Sequence, residues 1–188
     1  VKILSQKYDV SLMNPPYGSK GRMPDPVQDY VEEHYDHYPN YYINFYEIGS
    51  RLSKKEGRIG MLIPASFMLS TRLKEFREEF ILGNTPFDFL SEFGYEILDN
   101  ATVRTVGTVV RNSSADNKTG TFMRLHDLDK GEKENGLLRS ITKNTEDIKR
   151  LFNVELEKFA KIPGSRISYW TPETILDLHD RELKIDPQ

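Results

Sequence analysis

Asn14-Pro15-Pro16-Tyr17-Gly18 carries the clearest chemical potential in this chain. An amino nitrogen conjugated to an aromatic ring, as in adenine, is a poor nucleophile because its lone pair is delocalised. Two acceptors set on its two N–H protons draw the nitrogen toward tetrahedral geometry. They also stabilise the positive charge that develops as it takes up a methyl group. Asn14 offers a side-chain carbonyl, and Pro15 a backbone carbonyl on a residue with fixed φ and no N–H. The second proline stiffens the turn, so both acceptors are aimed before substrate arrives. Preorganised hydrogen bonds of this kind are worth about 10²–10³ in rate in comparable sites. Tyr17 presents a flat ring to a base taken out of the duplex, a contact of roughly 1–3 kcal/mol. Gly18 is expected to let backbone and substrate approach closely. A Pro-Pro turn after a strand also occurs without any chemistry, so its placement selects the catalytic reading.

The elements that must hold this turn are legible around it. Lys7 to Met13 (KYDVSLM) is β-rich and runs straight into the prolines, which predicts a strand ending at Asn14. Ser19 to Pro39 reads as a long polar loop with one short helix. Asn40 is placed to cap a helix over 41–55, whose Tyr42, Phe45, Tyr46, Gly49 and Leu52 recur at three and four residues, with Gly57 as the stop. Arg58 to Pro64 (RIGMLIP) is a continuous apolar run of the kind found in buried parallel strands. Ser70 or Thr71 is expected to cap a second helix with Leu73, Phe76 and Phe80 on one face, ending near Gly83. Phe87 to Phe93, Thr105 to Arg111 and Thr121 to Leu125 are further strands, and 112–120 (NSSADNKTG) reads as a hairpin loop joining the last two. Residues 127–145 are expected to be charged and mobile, and 147–161 to form a last helix. This alternation argues an α/β layer with a mostly parallel sheet.

Composition removes several classes of function. The 188 residues suit one domain and a little more. Hydrophobic residues at 37% fall below the usual share, so some surface is expected to be solvated or covered by something else. No run of 18 apolar residues exists to span a membrane, and the first ten residues lack the pattern of a signal peptide. With 0 cysteines there are no disulfides or thiolate metal sites, which fits a reducing cytoplasm. A net charge of −3 means that any nucleic-acid contact rests on local basic patches. No catalytic triad, phosphate loop or paired-carboxylate nuclease site is readable, and no metal is expected.

KYDVSLMNPPYG resembles motif IV of the amino-methyltransferases that make N6-methyladenine in DNA from S-adenosylmethionine. GRIGMLIPASFMLS with LKEFREEF is similar to the next strand and helix of the large adenine methyltransferases of type IIG restriction–modification and BREX phage-defence systems. NATVRTVGTVVRN with GTFMRLHDL resembles their motif VIII strand and hairpin, and FAKIPGSRISYW the segment leading toward their target-recognition domain. The resemblance covers nearly the whole chain. It implies DNA adenine-N6 methyl transfer, with Asn14 and Pro15 accepting from the target amino group and Tyr17 stacking on the flipped adenine. Asn14 and Pro16 are then the contacts this chain contributes to S-adenosylmethionine. The family's glycine-rich cofactor loop precedes motif IV, and the 12 glycines here contain no GxG. Most of the cofactor is therefore expected to be held by residues outside this chain, which reads as an internal fragment lacking that loop and the target-recognition domain. The implied fold is α/β, a partial class I (Rossmann-like) S-adenosylmethionine-dependent methyltransferase. It comprises the second half of the sheet with flanking helices.

The resemblance divides the chain at residue 126. Residues 1–126 are the catalytic half from motif IV to motif VIII, and 127–188 are a charged linker and helix leading toward the target-recognition domain. The expected partners are DNA, the missing cofactor-binding half and, through the exposed edge of the Asn14 strand, a second copy or a displaced segment that covers it. Related enzymes place an aromatic residue before the motif VIII strand to sandwich the flipped base. Leu98-Asp99-Asn100-Ala101 has no ring there; Tyr95 is the candidate, with plain packing the open alternative. Two other readings stay open: methylation of glutamine amides in proteins, and a non-catalytic remnant that binds DNA or a partner subunit.

Weaker signals carry bland readings beside sharp ones. Lys20 and Arg22, just after the turn, are placed for a phosphate near the flipped base. Tyr30, Tyr35, Tyr38, Tyr41 and Tyr42 could line a base channel, though packing is the commoner use of such a cluster. His34 and His37 have helical metal spacing beside Asp36 but no third ligand, so a solvated surface is expected. Arg72, Lys74 and Arg77 alternate with glutamates as a salt-laced helix surface does. Arg104 and Arg111 flank the motif VIII strand and are candidates for phosphate contact.

Overall fold

Tyr8–Met13 forms strand β1 and stops at Asn14, where two prolines remove the N–H groups that a further ladder would need. This is seen in a computed structural model that describes residues 5–98, 103–113, 118–142 and 150–176. The helices that follow are α1 (Asp25–His34), which has a proline in its first turn, and α2 (Tyr41–Leu52). Strands β2 (Ser53–Pro64), β3 (Phe87–Gly94), β4 (Thr105–Arg111) and β5 (Thr119–Arg124) follow in order, with a widened π-helical segment, Phe76–Asn84, between β2 and β3. Helix α3 (Lys133–Ile141), strand β6 (Leu151–Glu155) and the short helix α4 (Glu157–Ala160) complete the described elements.

The strands form one sheet in the order β1-β2-β4-β3-β5-β6. β1, β2, β3 and β5 run in one direction, and β4 and β6 run against them. The expected parallel character therefore holds for strand direction. Because β4 slots between β2 and β3, however, three of the five pairings are antiparallel. That insertion also corrects the hairpin reading of 112–120. Both edges of β4 are taken by β2 and β3, so β5 pairs with β3 and β6 instead. Residues 114–117 of that connection, residues 99–101 of the expected motif VIII approach and residues 143–149 lie outside the described residues.

Other boundaries move for identifiable reasons. α2 ends at Leu52 rather than near Lys55, because Ser53 already turns extended and begins β2. Gly57 does not stop the helix. It sits inside β2, where an added Cβ would lie 2.9 Å from the Lys54 carbonyl and 3.1 Å from that of Tyr8. Asn40 and Ser70 precede their helical segments in extended conformation, but neither side chain makes a capping hydrogen bond. The expected mobile segment contains α3, whose Gly136 packs closely on Leu128 and Leu125. The expected last helix is split: Leu151–Glu155 is strand and completes β5's free edge, with Phe152 and Val154 against the core, and only Glu157–Ala160 is helical among the described residues. That pairing, with Phe159, Ile167 and Tyr169 in the core, crosses the division expected at residue 126.

One face of the sheet carries most of the core. Ile59, Met61 and Ile63 of β2 and Val106 and Val110 of β4 meet Ile43 and Tyr46 of α2 and Phe76, Phe80 and Ile81 of the π-helical segment. The Tyr46 hydroxyl bonds the Thr108 hydroxyl at 2.6 Å inside it. Farther along, Phe122 stacks on Tyr169 and meets Phe159 edge-on. The opposite face is open over β1, β2 and β4. Leu12 is 77% exposed and Val10 55%, and Leu12 lies across the bare backbone of Gly60. Among the described residues no strand pairs with the outer edge of β1.

Candidate functional site at the carboxyl end of the sheet

Asn14 stands exposed in coil directly after β1, and Pro15 behind it is buried. The burial fixes the turn from below while the Asn14 amide reaches outward. Among the described residues no donor takes the Pro15 carbonyl. The Tyr17 hydroxyl donates to the Leu62 carbonyl at 3.0 Å and lies 3.4 Å from Asn14 Oδ1. A hydroxyl has one hydrogen to give, and the shorter contact is to Leu62. Tyr17 is thus tied across the carboxyl ends of β1 and β2 while Asn14 Oδ1 keeps its acceptor capacity. Burial pushes the Tyr17 hydroxyl above its ordinary value of 10, so it remains a donor.

Gly18 makes a close approach within the chain itself. A Cβ there would come within 2.6 Å of the Tyr41 ring. The Tyr41 N–H donates to the Gly18 carbonyl at 2.9 Å, and the Lys20 N–H to that of Pro39, fastening the loop to the start of α2. Lys20 forms an ion pair with Glu32 and lies 5.0 Å from the centroid of Tyr38. Arg22, at the end of a short turn, is exposed with no ion pair among the described residues. Asn14 borders an apolar depression of about 460 Å³ on the open face, with Leu12, Gly60, Leu62, Phe93 and Gly107 among its walls. Tyr95 is 53% exposed and lines a separate cleft beyond β4, whose walls do not include Tyr17.

The secondary candidates divide. The tyrosine cluster goes to packing: Tyr42 is buried, Tyr30 stacks on His34, and Tyr35 faces the Arg51 guanidinium. His37 is not solvated. It sits between Glu47 and Glu79, edge-on to Phe76, and its link to Glu47 is the main reason its proton affinity is raised. Glu47 is held below its ordinary value: burial opposes this, but the His37 side chain and the backbone N–H groups of His37 and Asp36 outweigh it. Arg77 is 0% exposed, which overturns its reading as helix surface. It donates to the carbonyls of Phe67, Ser70, Gly164 and Ser165. Arg111 lies at the far end of the sheet, paired with Asp88 at 2.6 Å, whereas Arg104 pairs with Glu92 at the Asn14 end.

The sequence profile of the Eco57I restriction-modification methylase family matches residues 1–97 of the 188. The chain belongs to that family. An Eco57I-type methylase segment of this kind is also similar to the adenine-specific methyltransferase PglX of Lacticaseibacillus casei (strain Zhang), at 28% identity over 94% of this chain and 15% of that protein. It is 29% identical to the adenine-specific methyltransferase BrxX of Escherichia coli O9:H4 (strain HS), over 89% of this chain and 14% of that one. The chain thus spans about one seventh of the length of these relatives. Its fold is shared with the type IIG restriction endonuclease BpuSI, at TM-score 0.64 and 18% identity, covering 90% of this chain and 22% of that one. The methyltransferase subunit of a type I restriction-modification system from Streptococcus thermophilus gives TM-score 0.60 and 15% identity, over 87% and 38%. Both likenesses fit a class I S-adenosylmethionine-dependent methyltransferase fold, of which this chain forms the sheet from β1 onward with its helices.

Proposed function

We propose that the protein carrying this chain transfers a methyl group from S-adenosylmethionine to adenine N6 in DNA, within a restriction–modification or phage-defence system in the cytoplasm. The observation that carries this reading is the Asn14–Tyr17 turn: an exposed Asn14 next to a buried proline, standing at the carboxyl end of a sheet strand. The family match and the adenine-specific relatives support it.

S-adenosylmethionine supplies the electrophilic methyl group when bound. Asn14 and Pro16, both exposed at the sheet terminus, fit one wall of such a site, and the rest of the wall is assigned to residues outside this chain. Asn14 Oδ1 and the Pro15 carbonyl accept hydrogen bonds from the two amino N–H groups of the target base. As positive charge grows on that nitrogen, these two oxygens stabilise it, and the rigid turn costs no reorganisation at that moment. The Tyr17 ring, anchored through its hydroxyl to Leu62, forms the platform on which the extruded base lies. The partners in this reading are DNA and the cofactor-binding half of the enzyme, which would cover the open face and edge of β1; a second copy is the other candidate for that edge. Residues 1–126 then carry the catalytic turn, and 127–188, which supply β6 and Phe159 to the same sheet and core, lead on toward a target-recognition domain.

Transfer of labelled methyl from S-adenosylmethionine tests the proposal, using the intact protein with DNA and with protein as competing acceptors. N6-methyladenine should form in DNA, and Asn14→Ala should lower the rate by about 10²-fold or more. Label in protein amides, or an Asn14→Ala rate equal to that of the native protein, overturns it.

A further inference from the structure

The carboxyl ends of β3 and β5, on the same sheet edge as Asn14, help to enclose a second cleft of about 560 Å³. Its floor is Glu92, 3% exposed. Glu92 Oε2 accepts the Tyr169 hydroxyl at 2.7 Å, and Oε1 pairs with Arg104 and lies 3.5 Å from His126 Nδ1. Burial first and Glu92 second push the Tyr169 hydroxyl far upward, so Tyr169 stays neutral. The single negative charge of Glu92 is therefore matched by Arg104.

Arg124, at the end of β5, is a second cation beside this group, near enough to the Tyr169 hydroxyl to oppose the upward push on it. Its guanidinium lies 5.1 Å from the centroid of Trp170, and its Nε is buried without a hydrogen-bond partner. Among the described residues no carboxylate pairs with it. An arginine held against an aromatic face, beside a second arginine and above a neutralised carboxylate, forms a preset seat for one anion. The rim is apolar and open, with Tyr95 and Leu69 both exposed, which suits a polymer passing through better than a small enclosed ion.

We propose that this cleft holds a backbone phosphate of the DNA strand that carries the target base. The proposal rests on the methyltransferase reading above. From β1 to β5, which carries Arg124, the sheet is crossed in four strand spacings, roughly 19 Å, so the phosphate belongs to a nucleotide near the one facing Asn14 but distinct from it. Arg124 supplies the charge and Arg104 the neighbouring donor, while Tyr95 and Leu69 meet the adjoining sugar and base.

Binding of the intact protein to a mixed-sequence duplex, measured across a salt series, tests this. Arg124→Gln should weaken binding several-fold and make the slope of log K against log salt shallower by about 0.9, the loss of one phosphate contact. Arg124→Lys should keep the native slope, which separates lost charge from disturbed packing on Trp170. With an uncharged methylphosphonate backbone, native and Arg124→Gln proteins should bind alike. A native protein that binds DNA alongside an Arg124→Gln variant of unchanged slope overturns the cleft alone. A native protein that binds no DNA overturns the underlying reading as well.

Discussion

Arg77 shows how much one side chain can organise. Its four hydrogen bonds join the turn after β2 to the Gly164-Ser165 loop, where both residues adopt positive φ. Arg77→Met would remove the donor to the Phe67, Gly164 and Ser165 carbonyls, while that of Ser70 keeps the Leu73 N–H, at about 1–3 kcal/mol for each that stays dry. Hydrogen exchange of the intact protein should then show lost protection at 65–70 and 163–167. Arg77→Lys should restore part of it, since an ammonium keeps the charge but not the planar fork. His37 and Glu47 give a pH signature. His37 has its proton affinity raised on folding, so its contribution is full below its ordinary value of 6.5 and is lost as pH rises through the folded value. Glu47 is lowered, so its contribution is present above 4.5 and is lost as pH falls through its folded value. The stability difference between native protein and His37→Gln should therefore peak near pH 5.5, about midway, and shrink above neutrality. Thermal melts over a pH series measure it, and a flat difference contradicts the coupling.

At the scale of elements, β1 and its open face pose the sharpest question. A strand of a largely unidirectional sheet is normally covered on both faces, yet Leu12 and Val10 stand in solvent and the edge of β1 is unpaired among the described residues. If the cofactor-binding half packs there, Leu12 becomes core in the intact protein. Leu12→Lys should then destabilise it by roughly 1.5–3 kcal/mol, as loss of a buried leucine does. A melting temperature unchanged by that substitution means the face stays wet. β4 makes the complementary case: its TVGTVVR run pairs on both sides, which places Arg104 and Arg111 at opposite ends of the sheet. Two residues that flank one motif thus have unrelated surroundings.

For the molecule as a whole, the Asn14 turn and the Arg124 cleft lie on one edge, set by four strands pointing the same way. In the proposed reading a DNA strand meeting that edge engages both, which is what the charge-neutralisation experiment on Arg124 probes. The sequence by itself determined the strand over 105–111, the end of β1 at the prolines and the exposed Asn14 after it, because these follow from β-branching, alternation and ring-locked φ within a few residues. Sequence periodicity also placed Leu73, Phe76 and Phe80 together on a buried face. It did not determine that β5 joins β3 rather than β4, that Arg77 and His37 go inside, or that Glu92, Arg124 and Trp170 meet. A strand has two edges of equal hydrogen-bonding capacity, and a charged side chain is buried or solvated according to which distant segment packs over it. Those choices are made by non-local pairing and by competition for the same core, so only the tertiary structure decided them.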